Sequence, residues 1–161
     1  MEMTVKQKRI YDEVVSIYPE DDENPKLRYV NKRWIFPNHI DIVIDSALKF
    51  IEEYYPEANR EIVFLAALLH DTGLVYERTE DDSAGHEERS IKYATEILQK
   101  YNYSKDFISK VTQAISATEP ENTASSIESK IVRTADAYSH FTSMHFFAKS
   151  NFTEEWDRFI K

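Results

Sequence analysis

The chain is expected to fold as an all-α, single-domain bundle of about six helices, and three features predict this. Its 161 residues include only two glycines and five prolines, too little turn material for many short strands. Apolar residues recur at helical spacing along most of the chain. Polar residues suited to capping stand ahead of several of these stretches. With 42% hydrophobic and 30% charged residues, the composition is that of an ordinary globular domain, read here as one unit over 1–161 and large enough to bury a core.

The first helix is predicted over Val5 to Tyr18, carrying Ile10, Val14, Val15 and Ile17 and ended by Pro19. Glu20 to Pro25 reads as an acidic turn, and Lys26 to Pro37 as an irregular loop rich in basic and aromatic residues. Asn38 after Pro37 is a candidate N-cap, so that His39 opens a helix through Ile40, Val43, Ile44, Ala47, Leu48 and Ile51, closed by Pro56. The central helix is expected from Asn59 to Thr72. Its run Ile62–Leu69 is apolar nearly all round, which on a helix means burial on most sides. Gly73 is expected to take a left-handed conformation and stop it. Tyr76 to Ala84 reads as a polar lid or rim, and His86 begins a helix through Ile91, Ala94, Ile97 and Leu98. Ser104 caps the next helix, which carries Phe107, Ile108, Val111, Ala114 and Ile115. Ser125 with Glu128 reads as the capping box of a helix reaching about Lys149. Thr153 then caps a last helix whose Trp156, Phe159 and Ile160 form an apolar stripe expected to be buried on this domain or a partner subunit.

Composition also excludes several classes of function. The chain has no cysteine, so disulfides and thiolate metal sites are excluded, and His, Asp and Glu are the strong ligand types that remain. A formal charge of −9 argues against nonspecific binding to nucleic-acid backbones, which depends on lysine and arginine displacing counterions. The first nine residues lack the apolar core of a signal peptide, and no run approaches the roughly 18 apolar residues of a membrane span. A cytoplasmic location without membrane association is expected.

Chemistry is concentrated in Leu68-Leu69-His70-Asp71-Thr72-Gly73-Leu74. Here an imidazole and a carboxylate end a buried helix, where the last carbonyls and the negative end of the macrodipole favour a cation. Adjacent helix residues diverge by about 100°, so other helices must bring further ligands. His39, 31 residues earlier, and Asp136, 65 residues after Asp71, lie at positions that could converge with the pair.

This order, a lone His, a His-Asp pair and a distant Asp within Thr134-Ala135-Asp136-Ala137, resembles the HD-domain superfamily of metal-dependent phosphohydrolases. Ala66-Ala67-Leu68-Leu69-His70-Asp71-Thr72-Gly73 is similar to that family's central helix, and Gly85-His86-Glu87-Glu88-Arg89-Ser90 to the start of its next one. The resemblance covers roughly residues 28 to 145. It implies a divalent ion held by His39, His70, Asp71 and Asp136, with Asp71 also a catalytic residue. Imidazole ligands favour Mn, Fe, Co, Ni or Zn over Mg. Four protein ligands leave two octahedral positions, one for water and one for a phosphate oxygen, so the ion could activate the water and polarise phosphorus. In two-metal members, two more histidines hold a second ion. His86 matches the first of these, but the other would fall near Ala117-Thr118, where there is none. One metal is therefore expected, with His86 beside it as a phosphate donor or weak second ligand, and Arg89, on the same helical face, able to fork onto a phosphate.

Other residues near these positions have plainer explanations. Arg133, three residues before Asp136, could meet a phosphate or a structural partner, and His140, four after it, could support Asp136 from behind. His145 reads as part of an aromatic cluster with Met144, Phe146 and Phe147, and Glu87 and Glu88 are candidates for the general acid by proximity alone. The leading expectation is hydrolysis of a phosphomonoester or phosphoanhydride, most plausibly of a nucleotide, by a chain free to form a homodimer. The alternatives are a metal- or nucleotide-binding sensor of the same fold without turnover, and a di-iron oxygenase, against which the missing histidine counts.

Overall fold

The computed structural model describes residues 3–20, 30–77 and 85–142. Among them there is no strand, and the elements are α1 (Val5–Ile17), α2 (Lys32–Ile35), a π-helical turn (Phe36–Ile40), α3 (Asp41–Tyr54), α4 (Arg60–Leu69), a 3₁₀ turn (Thr72–Leu74), α5 (His86–Lys100), α6 (Lys105–Ser116) and α7 (Ile127–Thr142). Since α2, the π turn and α3 are continuous, the described residues form six helical bodies. No described helix is long and apolar enough to cross a membrane.

Helix α4 is the hub. It packs against α1, α3, α5, α6 and α7, which explains why every residue from Ile62 to Leu69 is buried. An apolar stripe on one side would serve a surface helix, whereas this one has neighbours on all sides. Asn59 caps its start, accepting from the N–H groups of Glu61 and Ile62. Around it, α3 buries Val43, Ile44, Ala47, Leu48 and Ile51, α5 buries Tyr93, Ala94, Ile97 and Leu98, and α6 buries Ile108, Val111, Ala114 and Ile115. Each is the i, i+3, i+4 stripe of an amphipathic helix, and truncating one of the larger members to alanine costs about 2–5 kcal/mol. Thr4 and Gln7 close a reciprocal capping box on α1.

Several boundaries differ from expectation. Residues 32–37 are helical rather than irregular, and Asn31, not Asn38, caps the helix by accepting from Trp34 N–H. Pro37 does not block the passage, because it falls in the π turn, where the Asp41 N–H reaches back to Phe36 O. A wider turn spares the ladder the hydrogen bond proline cannot give. Asn38 instead donates its amide to Trp34 O. At the other end of the bundle Ser126, not Ser125, accepts from Ser129 N–H ahead of α7. Glu128 takes the Asn59 N–H at the head of α4, and Ser125 accepts from Gln113.

Helix α4 stops at Leu69, three residues earlier than expected, and Gly73 is not left-handed; the glycine with positive φ is Gly85, at +68°, ahead of α5. Gly73 is required for close approach instead. A Cβ there would lie 1.9 Å from His86 O and 2.7 Å from Ser90 N. The expected extension of α7 to Lys149, His145 with its aromatic neighbours, the helix capped by Thr153 with Trp156, the acidic turn beyond Glu20 and the rim over residues 78–84 lie outside the described residues.

Candidate metal centre

His39, His70, Asp71 and Asp136 are brought together at one end of α4, all nine-tenths or more buried. Each is delivered by a different feature. The π turn carries His39, the end of α4 gives His70, the turn after it gives Asp71, and α7, packed against both α3 and α4, brings Asp136. His39 Nε2 lies 3.1 Å from His70 Nε2, 3.0 Å from Asp71 Oδ2 and 3.5 Å from Asp136 Oδ1. His70 Nε2 lies 3.5 Å from Asp71 Oδ2 and 3.6 Å from Asp136 Oδ1.

Hydrogen bonds on the outer nitrogens decide what these atoms offer. His70 Nδ1 sits 2.8 Å from the carbonyl of Ala67, which can only accept, so Nδ1 carries the proton. His39 Nδ1 sits 2.8 Å from Ser139 Oγ, whose own proton is given to Asp136 O, so His39 Nδ1 also donates. When neutral, both rings therefore aim the Nε2 lone pair inward at each other and at two carboxylates. Four acceptors with nothing positive between them would repel. The side chains respond accordingly: burial opposes charge on His70, yet the pull of Asp71 and Asp136 outweighs it and pushes its pKa up to about 9. Burial likewise opposes charge on Asp71, but His70, His39 and His86 hold its carboxyl well below the usual range. For His39 burial wins and its pKa falls.

The donor set fits a divalent cation. Ligands bound at about 2.1 Å stand about 3.0 Å apart at right angles and about 3.4 Å apart at tetrahedral angles, which matches the observed spacings. The backbone carbonyls at the end of α4, expected to add to the cation's attraction, are in part otherwise engaged: Ala67 O by His70 and Leu69 O by the Thr72 hydroxyl.

The remaining expected residues divide. His86, with 23% of its side chain exposed, places Nε2 3.5 Å from Asp71 Oδ1 and 3.2 Å from Glu87 Oε1. It therefore stands on the solvent side of the cluster, where Asp71 is also the more open of the two carboxylates. Arg89 donates Nε to Gly73 O at 2.9 Å, and Ser90 accepts from Gly73 N–H at 2.8 Å, so α5 holds both backbone groups of the turn that follows Asp71. Arg133 points away from the cluster's chemistry. Its Nε donates to Ala117 O and its Nη2 to Glu119 O and Asn122 O, clasping the α6–α7 connection. Thr118, where a second-metal histidine was sought, is buried and gives its hydroxyl to Ile115 O. His140 is 3% exposed, with Nε2 3.6 Å from Asp136 Oδ1. Ser139 escaped sequence reading altogether, since a serine in a helix carries no signal until its neighbour across the bundle is known.

No curated protein and no solved structure matches this chain. A model of the HD domain does match, over residues 38–140, from one residue before His39 to His140. That span is well over half of the sequence and contains all four converging side chains, and the chain belongs to the HD-domain family, whose members bind divalent metals and are mostly hydrolases.

Proposed function

We propose that the protein is a metal-dependent phosphohydrolase acting on a phosphomonoester or phosphoanhydride, most plausibly of a nucleotide, with His39, His70, Asp71 and Asp136 as ligands of one divalent ion. The observation that carries the reading is the inward aim of two imidazole lone pairs, fixed by outer hydrogen bonds to Ala67 O and Ser139 Oγ, against two carboxylates. An ion of the Mn, Fe, Co, Ni or Zn type would supply Lewis acidity for a phosphoryl oxygen and for water. Every other contribution belongs to the chain. His86, at the open side beside Asp71 and Glu87, is placed to donate a proton to a phosphate oxygen or leaving group and to recover it through Glu87. Arg89 orients the turn after Asp71 through Gly73 O, and the phosphate contact expected of it would fall to its Nη atoms.

The site excludes most solvent from its depth, since His39, His70 and Asp136 are 2–3% exposed while His86 is open. Substrate would thus approach along α5, phosphate first. The test is metal analysis of the protein as purified, followed by turnover of an aryl phosphate and of nucleoside mono- and triphosphates with added manganese. Asp71→Ala should lose both metal and turnover. A variant keeping a full equivalent of metal would refute the ligand set. Thr118 in place of an imidazole favours the sensor alternative, which predicts bound metal in the wild type with no hydrolysis of any of these phosphates.

A further inference from the structure

Asp136 Oδ1 is ringed by three imidazole nitrogens at nearly one distance: His39 Nε2 at 3.5 Å, His70 Nε2 at 3.6 Å and His140 Nε2 at 3.6 Å. His140 stands to the carboxylate at the same distance as the two proposed ligand histidines. It comes from the same face of α7, one turn on, and its ring lies against that of His39 at 5.1 Å between centroids, inclined by 37°. Donor atoms of His39, Asp136 and His140 all fall within 4.8 Å of one another, as do those of His39, His70 and Asp71, so His39 belongs to both groups.

We infer that His140 is a fifth protein ligand of the ion proposed above, completing a set of three imidazoles and two carboxylates. The inference rests on that metal reading and adds to it. For bonds of about 2.1–2.2 Å, separations of 3.0–3.6 Å correspond to ligand–metal–ligand angles of about 90–120°, those between neighbouring ligands of one ion. Burial agrees, since His140 at 3% exposure is as enclosed as His39 and His70 at 2%. Two consequences follow. A nitrogen-rich set discriminates against magnesium and calcium more strongly than two imidazoles would. One octahedral position rather than two is then left for a ligand from solution, which narrows the site to a single phosphate or water oxygen.

The experiment counts imidazoles directly. The full chain loaded with Co(II) in ordinary water should show three hyperfine-shifted ring N–H proton signals, one each from His39, His70 and His140, all disappearing after exchange into D₂O. Two signals would overturn the inference. His140→Gln should remove one signal and weaken Zn(II) binding at least tenfold; unchanged signals and affinity would also overturn it. Should that variant fail to fold, the wild-type count still decides. His70→Ala provides the separate control. If it binds Co(II) like the wild type, or if the wild type takes up none, the metal reading itself has failed; if it loses Co(II) while the wild type shows two signals, only the role of His140 has.

Discussion

Replacing Gly73 with alanine tests the reasoning about how the site is held. Gly73 has no positive φ, so on backbone conformation alone alanine would be harmless, and the smaller entropy of the unfolded chain would stabilise the variant by about 0.4–1 kcal/mol. The structure predicts the opposite. The new Cβ would sit 1.9 Å from His86 O, and bringing it to the 3.0 Å that marks the floor for real Cβ atoms requires 1.1 Å of movement against backbone, not a flexible side chain. That movement must come from the first turn of α5. It would stretch the 2.8 Å bond from Gly73 N–H to Ser90 Oγ past hydrogen-bonding length and loosen Arg89 from Gly73 O. Overpacking costs about 1–3 kcal/mol and an orphaned buried N–H about 1–3 kcal/mol, so a loss of about 2–6 kcal/mol is expected.

Function should separate from stability in the same variant. The proposed ligands His39, His70, Asp71 and Asp136 come from other elements, whereas His86 rides on the displaced turn. Zn(II) affinity should change by less than tenfold while turnover falls by more than tenfold. Urea denaturation at several concentrations gives the stability, and Ser90→Ala, expected to cost about 1–2 kcal/mol without the steric term, isolates the hydrogen bond. A Gly73→Ala protein as stable as the wild type would refute the close-approach argument.

Tyr18, 2% exposed, is the one buried side chain among the described residues whose polar atom has no hydrogen-bond partner, so Tyr18→Phe should stabilise the protein by about 1 kcal/mol in thermal melts; a loss of that size would mean the hydroxyl is bonded. Arg133→Ala removes three donations to the carbonyls of Ala117, Glu119 and Asn122 and should cost about 2–3 kcal/mol. Metal content should be unaffected, since no ligand moves directly. In the metal-free protein, His70 has a pKa of about 9 against an ordinary 6.5, so its contribution to stability is complete below pH 6.5 and is lost as pH rises through about 9. His39 is shifted the other way, its pKa lowered by burial. Melts in chelator should therefore fall between pH 6.5 and 9.5, and a flat profile would contradict the charge assigned to His70.

Much of the fold was legible because the helices keep local rules that agree with their packing. The all-round apolar run of α4 announces a hub, and the stripes on α3, α5 and α6 announce which faces meet it. Errors arose where a local signal has two physical meanings. Pro37 reads as a boundary when the alternative is an α-helix, but a π turn admits it. Gly73 reads as a left-handed stop, although a glycine can equally serve an approaching backbone, and only the position of α5 tells the two apart. Ser125 and Ser126 are equivalent in sequence. The choice between them follows from Glu128 being drawn to Asn59 on another helix.

The site shows the same limit more sharply. Chain order was enough to group His39, His70, Asp71 and Asp136, since their spacing on predicted helices permits convergence. What it could not supply is the direction in which each ring nitrogen points. That depends on Ala67 O, fixed by the helix itself, and on Ser139 Oγ, 100 residues away from His39 along the chain. A serine in mid-helix is unremarkable until its proton is found committed to Asp136 O, and only then does the tautomer of His39 become determined. The depth of His140 is hidden from the sequence for a related reason. Helical periodicity places it on the face of Asp136 but does not say whether that face meets solvent, a neighbouring helix or the cluster. Its distance to Asp136, equal to that of His70, carries the information that sequence spacing lacks. Metal sites built across a helical bundle are therefore half-written in the chain: ligand types and order are local, whereas lone-pair direction and the full number of donors are properties of the packed structure.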